Sequence, residues 1–145
     1  MKRIIFLLTC LVVIQTAAFA GKDRMITVDQ LPNNAQQFIE KYFANVAVSY
    51  AKMDSEIFDT SYEVIFVNGS KVEFDRKGEW TDVDCKFSEV PTGIVPSLIQ
   101  DYVMAHHKDM KVVEIDRDNK DYEIKLSNKL ELKFDLKYNL IGYDY

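Results

Sequence analysis

Cysteine is nearly absent from this chain. Cys10 and Cys85 are its two thiols, and Cys10 lies inside the apolar stretch that opens the sequence. If that stretch is removed as a leader, one thiol remains and no internal disulfide can form. Cys85 then has two readings. It is either a small, half-buried apolar residue or a thiol that links two chains in an oxidising compartment. Histidine is scarce too: His106 and His107 are adjacent, diverge by about 100° if helical, and cannot easily share one metal. They read as helix-end residues. No glycine-rich phosphate loop occurs. An excess of positive charge is also missing. The formal charge is −5, and it becomes −7 once Lys2 and Arg3 are gone. Such a chain repels phosphate backbones, which argues against nucleic acid as a partner.

Long apolar runs are confined to the start, MKRIIFLLTCLVVIQTAAFA. Lys2 and Arg3 give a positive opening, Ile4 to Val13 is almost unbroken apolar sequence, and Ala18-Phe19-Ala20 puts small residues where a signal peptidase reads. Residues 1–20 therefore read as a secretory signal peptide cleaved after Ala20. A membrane span needs about 20 apolar residues, and Gln15 and Thr16 interrupt this run. Thr9 stands before Cys10, where a lipidated cysteine normally follows Gly, Ala or Ser. The expectation is an exported protein, periplasmic or secreted, with no membrane anchor after cleavage. The remaining length suits one compact domain, or two small halves sharing one sheet, with a core that needs no disulfides.

The rest of the chain reads as one unit written twice. At an offset of 60, Ile39 meets Ile99, Tyr42 meets Tyr102, Tyr62-Glu63 meets Tyr122-Glu123, Asn68 meets Asn128 and Phe74-Asp75 meets Phe134-Asp135. Matches at a fixed offset signal a repeated structural unit, here residues 21–87 and 88–145. Each copy opens on a helix. Ala35, Phe38, Ile39, Tyr42 and Phe43 form one helical stripe, and Val95, Leu98, Ile99, Tyr102 and Val103 form the second. Pro32 suits a first helical turn. Strands follow. Tyr62, Val64, Phe66, Val72 and Phe74 alternate with more polar neighbours, as do Tyr122, Ile124, Leu126, Leu130, Leu132 and Phe134. Period two with one apolar side predicts a sheet covered on one face and open on the other. Asn68-Gly69 predicts a two-residue hairpin turn. Further strands are expected at 48–54, 79–85, 111–116 and 140–145, and Gly21 to Met25 reads as a loose tail. The fold class is α+β: two tandem helix-plus-four-strand units, about eight antiparallel strands, helices on one face.

The phrases DQLPNNAQQFIEKYF and YEVIFVNGSKVEFDRKGEWTDVD, echoed by YEIKLSNKLELKFDLKYNLIGYDY, resemble the PepSY-like proteins, also called beta-lactamase-inhibitor-like. The resemblance covers Ile26 to Tyr145. The second copy departs from it where Lys129 replaces the turn glycine and Leu140 replaces Trp80. The resemblance implies a helix layer on a duplicated antiparallel sheet. That architecture is similar to the beta-lactamase inhibitory protein, which holds its target on the open sheet face. It also implies an exported, periplasmic setting, and PepSY domains are thought to restrain peptidases. Shared architecture does not by itself carry shared function.

A search for chemistry finds little. Asp116 to Asp121 resembles a calcium loop only in passing, since Asp121 and Ser127 stand where such a loop needs Gly and Glu; a tight polar hairpin is the plainer reading. Asp82 and Asp84 point the same way along one strand and read as a solvated strand end. No catalytic residue, metal ligand or cofactor is expected, and the chain is read as a non-enzyme. The open face is the candidate site. Most of its expected residues are charged, but Ile65 and Val67 are not. With Tyr50 and Lys52 beside them, and Trp80, Tyr143 and Tyr145 extending the set, they form a candidate protein-binding patch. A second reading puts Trp80 and the tyrosines in the core at the sheet ends. The leading expectation is a binding protein for a partner protein, with enzyme inhibition as one form. The alternatives are an envelope-ligand sensor with a pocket between helices and sheet, or a module that dimerises through the edge strand 140–145.

Overall fold

The computed structural model describes residues 23–145; the expected leader lies outside them. In chain order the elements are β1 (Arg24–Ile26), a short 3-10 turn (Val28–Gln30), α1 (Asn33–Tyr42), β2 (Val48–Ser55), β3 (Thr60–Phe66), β4 (Lys71–Phe74), β5 (Trp80–Asp84), α2 (Ser97–His106), β6 (Val112–Arg117), β7 (Asp121–Leu126), β8 (Glu131–Asp135) and β9 (Leu140–Asp144). The strands form one sheet in sequence order, β1 to β9, and each pairs antiparallel with the next.

The helices form where the sequence stripes lie, and they bury those stripes against one side of the sheet. Each is entered through a proline, Pro32 and Pro96, with φ of −54° and −53°, the value a first helical turn requires. In α1, Phe38 meets Phe74 edge-on at 5.6 Å, and Phe43, just past the helix, stacks on Phe66 at 4.5 Å. In α2, Tyr102 meets Phe134 edge-on at 5.4 Å. Phe66, Phe74 and Phe134 are fully buried, as are Val64, Val72, Val83, Ile115 and Ile124 of the same sheet face. Each such side chain contributes roughly 1.5–3 kcal/mol by leaving water. The second stripe is narrower than the sequence suggests. Leu98 faces solvent, and Val95 contributes from the loop before α2.

Two expectations need correction. The segment read as a loose tail contains β1, which pairs with Ala51 to Met53 of β2. Three residues are too few to give a period-two signal, so the sheet has nine strands instead of about eight. The Asn68-Gly69 turn is also longer than two residues. The Phe66 N–H donates to the Ser70 carbonyl at 2.9 Å and the Gly69 N–H to the Phe66 carbonyl at 3.0 Å, leaving a three-residue loop with Gly69 left-handed at φ 85°. The β7–β8 hairpin makes the same pair of bonds, Leu126 N–H to Leu130 carbonyl and Lys129 N–H to Leu126 carbonyl, both 2.9 Å. There Lys129 holds the left-handed position at φ 74°. Gly78 is required for a second reason. At φ +81°, an added Cβ would lie 2.8 Å from the Pro32 Cβ and 2.9 Å from the Ala35 nitrogen. The β4–β5 turn therefore sits directly on the start of α1, where Asn34 also donates to Glu79 at 3.0 Å.

These two turn positions should respond in opposite directions. Lys129→Gly relieves a left-handed non-glycine residue and should stabilise the fold by about 1 kcal/mol. Gly78→Ala should destabilise it by roughly 2 kcal/mol or more, through strain and overlap together. Urea unfolding followed by circular dichroism measures both; a destabilised Lys129→Gly would refute the account of that hairpin.

Candidate functional site

The face opposite the helices is an ordered grid, because antiparallel register places cross-strand partners on the same side. One row runs Tyr50, Ile65, Lys71, Asp84, Glu114, Lys125, Glu131, Asp144 across β2 to β9; the next runs Lys52, Glu63, Glu73, Asp82, Asp116, Glu123, Lys133, Gly142. Four lysines each bridge two carboxylates. Lys52 lies 3.2 Å from Asp23 and 3.5 Å from Glu63. Lys71 lies 2.9 Å from Glu73 and 3.3 Å from Asp82. Lys125 holds Glu131 and Glu114 at 3.1 and 3.6 Å, and Lys133 holds Glu123 and Asp121 at 2.9 and 3.2 Å.

The candidate patch is only partly assembled. Tyr50 pairs directly with Ile65, and Lys52 with Glu63. Tyr50 is 40% exposed, so this aromatic–aliphatic pair at the edge of the charged grid is available to solvent. Val67 is exposed but belongs to the hairpin loop, where its N–H donates to the Ala47 carbonyl at 2.9 Å. Trp80 is not on this face. It pairs with the buried Phe74, and its ring lies 6.5 Å from that of Phe38 in α1. The Arg117 guanidinium covers it at 3.9 Å, while the Arg117 Nε donates to the Trp80 carbonyl at 2.8 Å. A bulge between Glu73 and Phe74 sets this register, and no residue type announces it. Tyr143 pairs with buried Leu132, so it too has the parity of the helix-covered side, beyond the cover the helices give. Tyr145 lies past the end of β9, fully in solvent.

The sequence reading also missed residues. Asp82, taken as a solvated strand end, is 7% exposed, and its Oδ1 has no hydrogen-bond partner. Burial pushes its carboxyl up to about 7; Lys71 pulls it down, and Glu114 and Glu73 push it up again. For Lys71 burial acts downward, but Glu73 and Asp82 outweigh it and the ammonium is held above its ordinary range. The pair is thus unequal: the lysine gains from it, while desolvation and two further carboxylates keep Asp82 from doing so. Across β5–β6, Asp82 faces Asp116 and Asp84 faces Glu114. The parity of residues 80–84 could have placed Asp82 and Asp84 on the open face, but only the long-range pairing puts Glu114 and Asp116 opposite them.

The other sequence signals have structural roles. His106 stacks on Tyr102 at 4.1 Å. Asp118 closes the β6–β7 turn by accepting from the Lys120 and Asp121 amides at 2.7 and 3.0 Å. Cys85 is buried and its thiol is pushed up by that burial, which withdraws it from contact with a second chain. A depression of about 370 Å³ lies between the β4–β5 and β6–β7 turns, lined by Glu79, Trp80, Arg117 and Tyr122 among others. It is at the turn end of the sheet, away from the helix–sheet interface where the ligand-sensor alternative places a pocket.

Trp80 and Tyr50 separate core from surface by experiment. Trp80→Ala should destabilise the protein by roughly 2–4 kcal/mol, and Tyr50→Ala by no more than about 0.5 kcal/mol. Thermal unfolding of the two variants reads the difference, and equal losses would contradict this assignment of faces.

Three solved structures share this architecture. A "putative calcium-regulated periplasmic protein" from Bacteroides thetaiotaomicron is 56% identical, with a TM-score of 0.83 over 85% of this chain and 97% of that one. A "putative periplasmic protein" from Bacteroides vulgatus is 50% identical, with the same TM-score and coverage. Another from Bacteroides vulgatus is 36% identical, with a TM-score of 0.80 over 85% and 99%. No curated protein matches the chain. The periplasm is the location shared with these relatives, and no helix among the described residues is long and apolar enough to cross a membrane. The family model described as "Putative beta-lactamase-inhibitor-like, PepSY-like" matches residues 60–142, and the chain belongs to that family.

Proposed function

We propose that this is a non-catalytic periplasmic binding protein, a tandem duplicate of one helix-plus-strands unit, that docks a partner protein on its open sheet face. One observation carries the reading. The helices cover a single face, and on the other the exposed Tyr50, paired with the half-buried Ile65, stands at the end of a grid of lysine–carboxylate bridges. An aromatic and aliphatic anchor ringed by charge is the pattern of a protein-binding surface. Lys52, beside the anchor, and Val67, in the adjoining loop, complete the proposed contact. Trp80 and Tyr143 are no part of it. If the partner is an enzyme, docking on this face inhibits it.

Immobilised residues 21–145 should retain one envelope protein, and a Tyr50→Ala/Ile65→Ala variant should lose it. The retained protein, once purified, should form a stoichiometric complex with the wild type in solution, and any activity it has should fall as complex forms. Retention that is identical for both forms would sink the docking reading; full activity of a saturated enzyme would sink inhibition alone.

A second reading is regulation by calcium, the property named for the 56% identical relative. Among the described residues no three His, Cys, Asp or Glu side chains are grouped to hold a metal ion, so this reading rests on that relationship alone. Calcium, but not magnesium, should then raise the melting temperature by roughly 5 °C or more. No change at millimolar calcium would dismiss it.

A further inference from the structure

The β5–β6 seam is the join between the strands that follow α1 and those that follow α2. Only three residue pairs make it in register: Asp82–Asp116, Val83–Ile115 and Asp84–Glu114. The central pair is fully or almost fully buried on the helix side. Both outer pairs lie on the open face, and both set carboxylate against carboxylate. Like charges placed directly opposite destabilise a sheet, yet here they occupy two of the three registered pairs of the seam, which the Cys85 N–H extends by donating to the Val113 carbonyl at 2.9 Å. Lys71 compensates incompletely, since it sits nearer to Glu73 than to Asp82. Among the described residues no lysine or arginine forms an ion pair with Asp116 or Asp84.

We propose that this seam is a proton-operated joint, in which Asp82 takes up a proton to relieve its burial among the carboxylates of β4 and β6 and releases it to weaken the pairing of β5 with β6. The geometry supplies the reason. Asp82 is buried, and its Oδ1 has no hydrogen-bond donor. An ionised oxygen in that position lacks both water and a partner, and a proton removes the charge. The charged groups around it act together. Lys71 and Glu73 face it from β4, and Asp116 and Glu114 from β6, while Asp84 shares its strand; Glu123 and Lys125 stand one strand further out. With one cation against this set, a proton on Asp82 relieves the charge. Burial, with Glu114 and Glu73 beside it, pushes the carboxyl up to about 7 from an ordinary value of 3.8.

The direction of the effect follows from linkage. A folded-state value above the unfolded one means that the folded chain binds the extra proton. The stability this gives is fully present below the unfolded value of 3.8 and is lost as pH rises through about 7. Because Asp82 is central to the open face, the same proton changes by one unit the charge a docked partner meets. The inference does not depend on docking and can fail while docking stands.

The test is a carbon-13 NMR titration of the Asp82 carboxyl in the full mature chain, with unfolding measured at each pH. The carboxyl should titrate near neutrality. The folded-to-unfolded ratio should fall at least tenfold between pH 5 and 8, with faster amide exchange at Val83 and Ile115 after correction for intrinsic rates. Asp82→Asn should abolish that fall. If Asp82→Asn does not fold, Glu114→Gln removes the carboxylate that presses most on Asp82, and should lower the Asp82 midpoint and shrink the fall. An Asp82 carboxyl that titrates below pH 5 would overturn the proposal, as would a pH dependence unchanged in the variants.

Discussion

Phe66, Phe74 and Phe134 lie fully buried between a nine-stranded sheet and two helices that cover only one of its faces. This one-sided burial is what the rest of the molecule depends on. It forces every core-forming strand to keep its apolar residues in a single phase, since a slip of one residue would turn the whole set into water. It fixes where α1 and α2 sit, because Phe38 and Tyr102 must each reach a phenylalanine of the sheet. It also leaves the opposite face to be solved by charge.

The solution on that face is asymmetric. At the β2–β4 side and the β6–β9 side, lysines sit between carboxylates and satisfy them in pairs. In the middle, acids meet acids, and a buried aspartate is left with one oxygen unmatched. Hydrophobic contact behind the sheet, chiefly Val83 with Ile115, must hold the two halves together against that repulsion. The Arg117–Trp80 contact adds a polar tie at the turn end of the same seam, where the guanidinium both covers the indole and donates to its carbonyl.

Turn chemistry ties the layers together. Gly78 lets the β4–β5 turn press against the first residues of α1, so helix and sheet are joined by backbone contact as well as by side chains. The β7–β8 hairpin keeps the same hydrogen bonds as β3–β4 with a lysine in the left-handed position. Both turns share an asparagine whose Oδ1 accepts from the amide two residues on, Asn68 from Ser70 at 2.9 Å and Asn128 from Leu130 at 3.1 Å. Membership of the PepSY-like family agrees with this frame.

Strict alternation from Tyr62 to Phe74 and from Tyr122 to Phe134, two apolar helical stripes and the Asn-Gly turn were legible in the residues alone. They determined an α+β chain with one covered face, because period and turn preference are local properties. The Tyr50–Ile65 pairing stood in the residues only as a condition, and the register of β2 on β3, with its bulge between Val48 and Tyr50, decided it. Other features were decided only by the tertiary structure. A bulge turned Trp80 to the helix side, and β1 found an edge that three residues cannot advertise. The pairing of β5 with β6, across an intervening helix, brought Asp82 opposite Asp116. Electrostatic opposition between strands distant in sequence depends on register, and that register was fixed by burial on the other side of the sheet.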